Sequence, residues 1–93
     1  MDHAAVHKLQ KAVDAAKQAA HQAKMDNCDV DDIDEAIEAC DQELLRPTPN
    51  RNTLTLYMNS VARSLIAVPS AREACGEIDD ALRFAGLPAT WEL

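Results

Sequence analysis

His3 and His7 stand one helical turn apart beside Asp2, a spacing at which two imidazoles and a carboxylate can share a metal ion. Nothing nearby supplies the further groups that orient such ligands, so this pair makes a poor metal site. The run from Asp26 to Glu35 has the acidity of a calcium loop but not its form. The sixth-position glycine is missing and the oxygen ligands are wrongly spaced. Cys28, Cys40 and Cys75 are odd in number and show no C-x-x-C spacing, which argues against a disulfide framework and a zinc knuckle. Cys40 and Cys75 fall on apolar helix faces, where a thiol packs as a small hydrophobe. No histidine is placed to activate them, and no carboxylate pair sits on an apolar background that would raise one pKa for acid–base work. The expectation is a protein without catalytic residues, metal or cofactor.

The remaining chemistry is that of a surface. From Asp26 to Arg46 there are nine acidic side chains and one base, whereas Met1 to Lys24 carries four lysines and three histidines against Asp2 and Asp14. Asp31, Glu35 and Glu38, and on an adjoining row Asp34, Asp41 and Glu43, are expected to line the outward surface of a helix at spacings of roughly 5–6 Å. Phosphates along a nucleic-acid strand are separated by a comparable distance, so such a face suits the basic groove of a nucleic-acid-binding protein. Small acidic phage and plasmid inhibitors and nuclease immunity proteins use surfaces of this kind; the resemblance is one of size and charge, with no shared motif. The plain alternative is a solvated face that keeps the protein in solution.

Four helical segments must position these residues. The first is expected over about 2–24, with Val6, Leu9, Val13, Ala16, Ala20 and Ala23 repeating at three and four and a flanking row of Ala5, Ala12 and Ala19. Its opposite face carries His3, His7, Lys11, Asp14, Lys17, His21 and Lys24. The second is expected over about 29–46, capped by Asp29, with Asp31, Asp32 and Asp34 favouring the positive end of the helix dipole. Val30, Ile33, Ile37, Cys40 and Leu44 form its seam. The two read as an antiparallel hairpin in which Lys11, Lys17 or Lys24 approaches Glu35, Glu38 or Asp41.

Pro47 and Pro49 break the chain, because each removes an amide donor and disfavours helix in the residue before it. Thr53-Leu54-Thr55-Leu56-Tyr57 alternates like a strand, but a lone strand has no pairing partner, and Leu54, Met58, Val61, Ala62 and Leu65 fit a helix over about 51–67. A fourth helix is expected over about 70–85, opened by a Ser70–Glu73 capping box and stopped by Gly86 and Pro88. Ala71, Cys75, Ile78, Leu82 and Ala85 form its stripe. Gly76 in its middle costs roughly 1 kcal/mol against alanine, which suggests a close helix crossing there. Trp91, in the tail, is expected to pack back on the bundle.

Together these point to a single all-α domain over 1–93, a small four-helix bundle or pair of helical hairpins, with the first helix packed on the acidic second. The core is small and alanine-rich, so a homodimer would complete it. The net charge of −7 argues against direct nucleic-acid binding and for a protein partner with a basic surface. No apolar run approaches the ~20 residues needed to span a bilayer, so no membrane role and a cytoplasmic location are expected. The leading expectation is a non-enzymatic regulator or inhibitor acting through Asp31, Asp34, Glu35, Glu38 and Asp41. The alternative is a helical adaptor, chaperone-like or dimerisation module that binds a partner helix through apolar stripes.

Overall fold

The computed structural model describes residues 2–23 and 27–91, with the backbone alone at 27–29. Four helices form a small bundle of 35 × 22 × 19 Å: α1 (His3–Gln22), α2 (Asn27–Leu44), α3 (Arg51–Leu65) and α4 (Arg72–Phe84), with a short 3-10 turn at Pro69–Ala71. The packing is antiparallel, α1 against α4 and α2 against α3. α1 also packs on α2, as the hairpin reading expects, but its most extensive contact is with α4. Its alanine stripe is what permits both. Ala12, Ala16 and Ala20 are almost wholly buried, and a side chain of one carbon lets two neighbouring backbones come close.

Larger side chains opposite that stripe fill the centre. Leu9, Leu54, Met58, Leu65, Ile78, Leu82 and Cys40 are the largest fully buried groups, drawn from all four helices. The stripes expected on each helix therefore meet within one chain. Val6 and Ala19 are the half-buried edges of the α1 stripe.

Helix ends show where local signals prevailed. Asp2 caps α1 by accepting from the Ala5 amide at 2.8 Å, and Asn50 caps α3 by accepting from Thr53 at 3.0 Å. α4 ends in a Schellman motif: Leu87 N–H donates to the Leu82 carbonyl at 2.8 Å and Gly86 N–H to that of Arg83 at 3.1 Å. Gly86 has φ +74°, a conformation that favours glycine, and its neighbour Leu87 is buried.

Three expectations fail at helix starts and in helix interiors. α2 begins at Asn27, so Asp29 lies within the helix and does not cap it; its side chain lies outside the described residues, as do Cys28, Lys24 and Asp26. The Ser70 capping box does not form. Pro69 starts a 3-10 turn that takes in Ser70, and α4 follows from Ala71 without a side-chain cap. An N-cap needs extended backbone, and here that conformation falls on Val68, the residue before the proline. Gly76 lies on the exposed face of α4, and a Cβ built there would meet nothing within 4 Å. No helix crosses at that point.

Candidate protein-interaction face

α2 presents its acidic residues in two directions. Asp31, Glu35, Glu38, Gln42 and Leu45 follow one another at intervals of four, three, four and three, and all five are exposed. That interval traces a nearly straight row along a helix, the geometry with which one helix meets another. The row ends in an apolar side chain: Leu45, just past the last turn of α2, is 73% exposed.

Asp34 and Asp41 turn instead toward α1 and are half-buried. His21 Nε2 lies 3.0 and 3.1 Å from the two carboxylate oxygens of Asp34, a bridge between α1 and α2. Lys17, His21, Asp34, Ile37, Glu38, Asp41 and Gln42 line an open groove of about 550 Å³ between the helices. Burial pushes the Asp41 carboxyl above the usual aspartate range, and the negative charges of Asp14 and Glu38 add to this while Lys17 opposes it. Of the five acidic residues singled out in the sequence, Asp31 and Glu35 thus stand outward, Glu38 is exposed at the edge of the groove, and Asp34 and Asp41 form the seam with α1.

α1 acts as a basic strut with acidic neighbours on both sides. Lys17 and His21 face α2, while Lys8 and Lys11 share a shallow cleft with Glu77 and Asp80 of α4. Lys8 Nζ also lies 4.8 Å from the centre of the Phe84 ring, a cation–π contact on a ring 54% exposed. Exposed contacts of this sort contribute about 0–1 kcal/mol each, so they orient the helices more than they hold them. Their consequence for the surface is larger. His21 is paired with Asp34 and Lys8 sits on Phe84, and no base of α1 forms an ion pair with Asp31, Glu35 or Glu38 among the described residues.

Glu43 departs from the expected outward position. It is 8% exposed, and its carboxylate accepts from the Asn50 amide at 2.9 Å and from Arg46 Nη1 at 3.3 Å. The reason is the proline break. A chain that turns from α2 into α3 in six residues leaves amides without helical partners, and a carboxylate one turn before the corner reaches back to one of them. Arg51 Nη2 then donates to the Gly86 carbonyl at 2.9 Å, joining the start of α3 to the end of α4.

Asn59 is the polar residue that periodicity did not single out. It is 4% exposed; its Nδ2 donates to the carbonyls of Thr55 at 2.7 Å and Pro88 at 2.9 Å, and its Oδ1 accepts from the Thr90 amide at 2.7 Å. A side-chain amide has the donors and acceptor to serve both polar groups of an extended backbone. Asn59 therefore lays the tail across the bundle, and Trp91, the last described residue, is 6% exposed, packed as expected.

The described thiols are buried. Burial pushes the Cys40 thiol up to about 12, with the charge of Asp41 adding to the shift, and burial likewise raises Cys75. Both are held in the protonated, unreactive form. Among the described residues no group of three His, Cys, Asp or Glu side chains converges to hold a metal, and no helix is long and apolar enough to cross a membrane. Comparison with protein-family models, with curated proteins and with solved structures returns no match for this chain.

Proposed function

We propose that the protein is a non-enzymatic binding regulator or inhibitor that uses the outward face of α2 to occupy a basic surface on a larger protein. The observation that carries this reading is the exposed row Asp31, Glu35, Glu38, Gln42 and Leu45. Three carboxylates without ion pairs among the described residues supply long-range attraction, and one leucine at the end of the row supplies apolar area for a short-range contact. A basic groove with an apolar pocket at one end is the complementary shape. Such grooves occur in nucleic-acid-binding proteins, whose natural ligand presents charge at a similar spacing.

The reading of a helical adaptor working through its apolar stripes finds less support. Those stripes are spent on the protein's own core, with Leu9, Ile33, Ile37, Leu54, Leu65, Ile78 and Leu82 all nearly inaccessible.

The test is capture of partners from a lysate with the tagged chain at low and high salt, alongside the Glu35→Lys/Glu38→Lys variant and a Leu45→Ala variant. The proposal expects a basic partner that is released by salt, lost with the charge reversal and weakened with Leu45→Ala. Capture that survives both high salt and charge reversal would rule out the α2 face as the contact.

A further inference from the structure

The tail is secured unevenly. At its near end, Leu87 is buried beneath the Schellman motif, and Asn59 holds the Pro88 carbonyl and the Thr90 amide. At the last described residue, the Trp91 ring is buried but its Nε1–H has no hydrogen-bond partner among the described residues. Asp79 Oδ1 is also buried without one, while its Oδ2 accepts from Arg83 Nε at 2.8 Å.

Both residues line the same cavity of about 320 Å³, with Ile66, Arg72, Cys75 and Gly76. Gly76 lies at its exposed edge, where a Cβ would touch nothing within 4 Å. An unpaired buried donor and an unpaired buried acceptor each disfavour the closed arrangement, and lifting the indole would let water reach both polar atoms. The largest fully buried side chains of the four-helix core come from the helices themselves.

Cys75 is the thiol that lines the same cavity. It is 3% exposed, and its Sγ donates to the Ala62 carbonyl at 3.7 Å. With Trp91 lifted, one wall of its cavity is gone, and the thiol regains contact with water.

We propose that the segment from Leu87 to Trp91 is a strap, hinged at Asn59, whose Trp91 end lifts while the four-helix core stays folded, and that this local opening is what gives reagents access to Cys75. Cys40 has no such door. It is fully buried in the central cluster and becomes accessible only when the helices separate.

The experiment compares two full-length chains, each with a single thiol: Cys28→Ser with Cys40→Ala, leaving Cys75, and Cys28→Ser with Cys75→Ala, leaving Cys40. Native protein is treated with N-ethylmaleimide across urea concentrations below the unfolding transition, and adduct formation is followed by mass spectrometry. The proposal expects Cys75 to react at least about tenfold faster than Cys40, with a rate almost flat in urea, because local opening exposes little surface. Cys40 should show a steep urea dependence. Trp91→Phe removes the unpaired donor while keeping an aromatic ring, and should slow Cys75.

Equal rates with the same steep urea dependence for both thiols would overturn the strap. A second measurement requires no substitution: the Trp91 indole N–H in the wild-type chain should exchange with solvent at least about tenfold faster than the amides of Met58 and Leu82. Exchange as slow as those amides would overturn the proposal independently.

Discussion

Asn59→Ala is the substitution from which the structure predicts the largest effect by a polar side chain. The change removes one donor and one acceptor that serve the tail, at 2.9 Å to Pro88 and 2.7 Å to Thr90. Two outcomes compete. If the tail stays docked, the Thr90 amide and the Pro88 carbonyl lose their partners, at about 1–3 kcal/mol for each that is left dry. If the tail detaches, those groups are hydrated but the burial of Leu87 and Trp91 is lost, at about 1.5–3 kcal/mol per fully buried large apolar side chain. The two routes overlap, at about 2–6 kcal/mol for the first and about 3–6 kcal/mol for the second, so the loss should be at least about 2 kcal/mol by either, a large fraction of the stability of a domain this small.

Urea unfolding followed by far-ultraviolet circular dichroism measures the loss, and the emission of Trp91, the one tryptophan in the chain, distinguishes the routes. A red-shifted emission already present in buffer, with a slightly smaller m-value, identifies detachment. Asn59→Asp is the companion. It keeps the acceptor for Thr90 but turns a charged oxygen toward the Thr55 and Pro88 carbonyls, so it should be at least as destabilising at pH 7 and recover on acidification, when the carboxyl regains a donor. A loss below about 0.5 kcal/mol for Asn59→Ala, the scale of a neutral surface change, with emission unmoved, would refute the reasoning.

Gly76→Ala should stabilise the protein by about 0.5–1 kcal/mol, because the position is mid-helix, exposed and sterically open; a lower urea midpoint would show that the glycine is needed. Glu43→Ala should cost about 1–3 kcal/mol by leaving the Asn50 amide without its acceptor, with Glu43→Gln retaining most of the stability, as read from thermal or urea midpoints. For Asp41 the folded carboxyl titrates above its ordinary value, so the folded state holds the proton more tightly than the unfolded chain. Its contribution to stability therefore improves as pH falls through the raised value toward the ordinary one, and the ionised form is a net cost above that window. Asp41→Asn should accordingly be more stable than wild type at pH 7, with the difference shrinking as the pH falls through that window and gone below the ordinary aspartate value. A destabilised variant at pH 7 would mean that attraction to Lys17 outweighs burial and repulsion.

The sequence determined the elements and their buried faces, since apolar periodicity depends only on which side chains share a helix face. The stripes on α1 through α4, the proline break after Arg46, the stop at Gly86 and the outward position of Asp31, Glu35 and Glu38 follow from spacing and backbone chemistry alone. Tertiary structure decided whatever required two distant segments to meet. Glu43 reads as one more outward acid until the corner after α2 brings the Asn50 amide to it. Asn59 reads as a helix-interior polar residue until the tail, some thirty positions later, lies across it. Gly76 looked like a crossing point because an isolated glycine in a helix signals either a close approach or nothing, and only the placement of the other helices separates the two. The same holds for the acidic face: periodicity grouped five carboxylates, but the packing of α1 divided them, drawing Asp34 and Asp41 into a seam with His21 and Lys17 and leaving the others to solvent. A helical repeat fixes direction around one axis, and the partner found in that direction depends on how the axes are assembled.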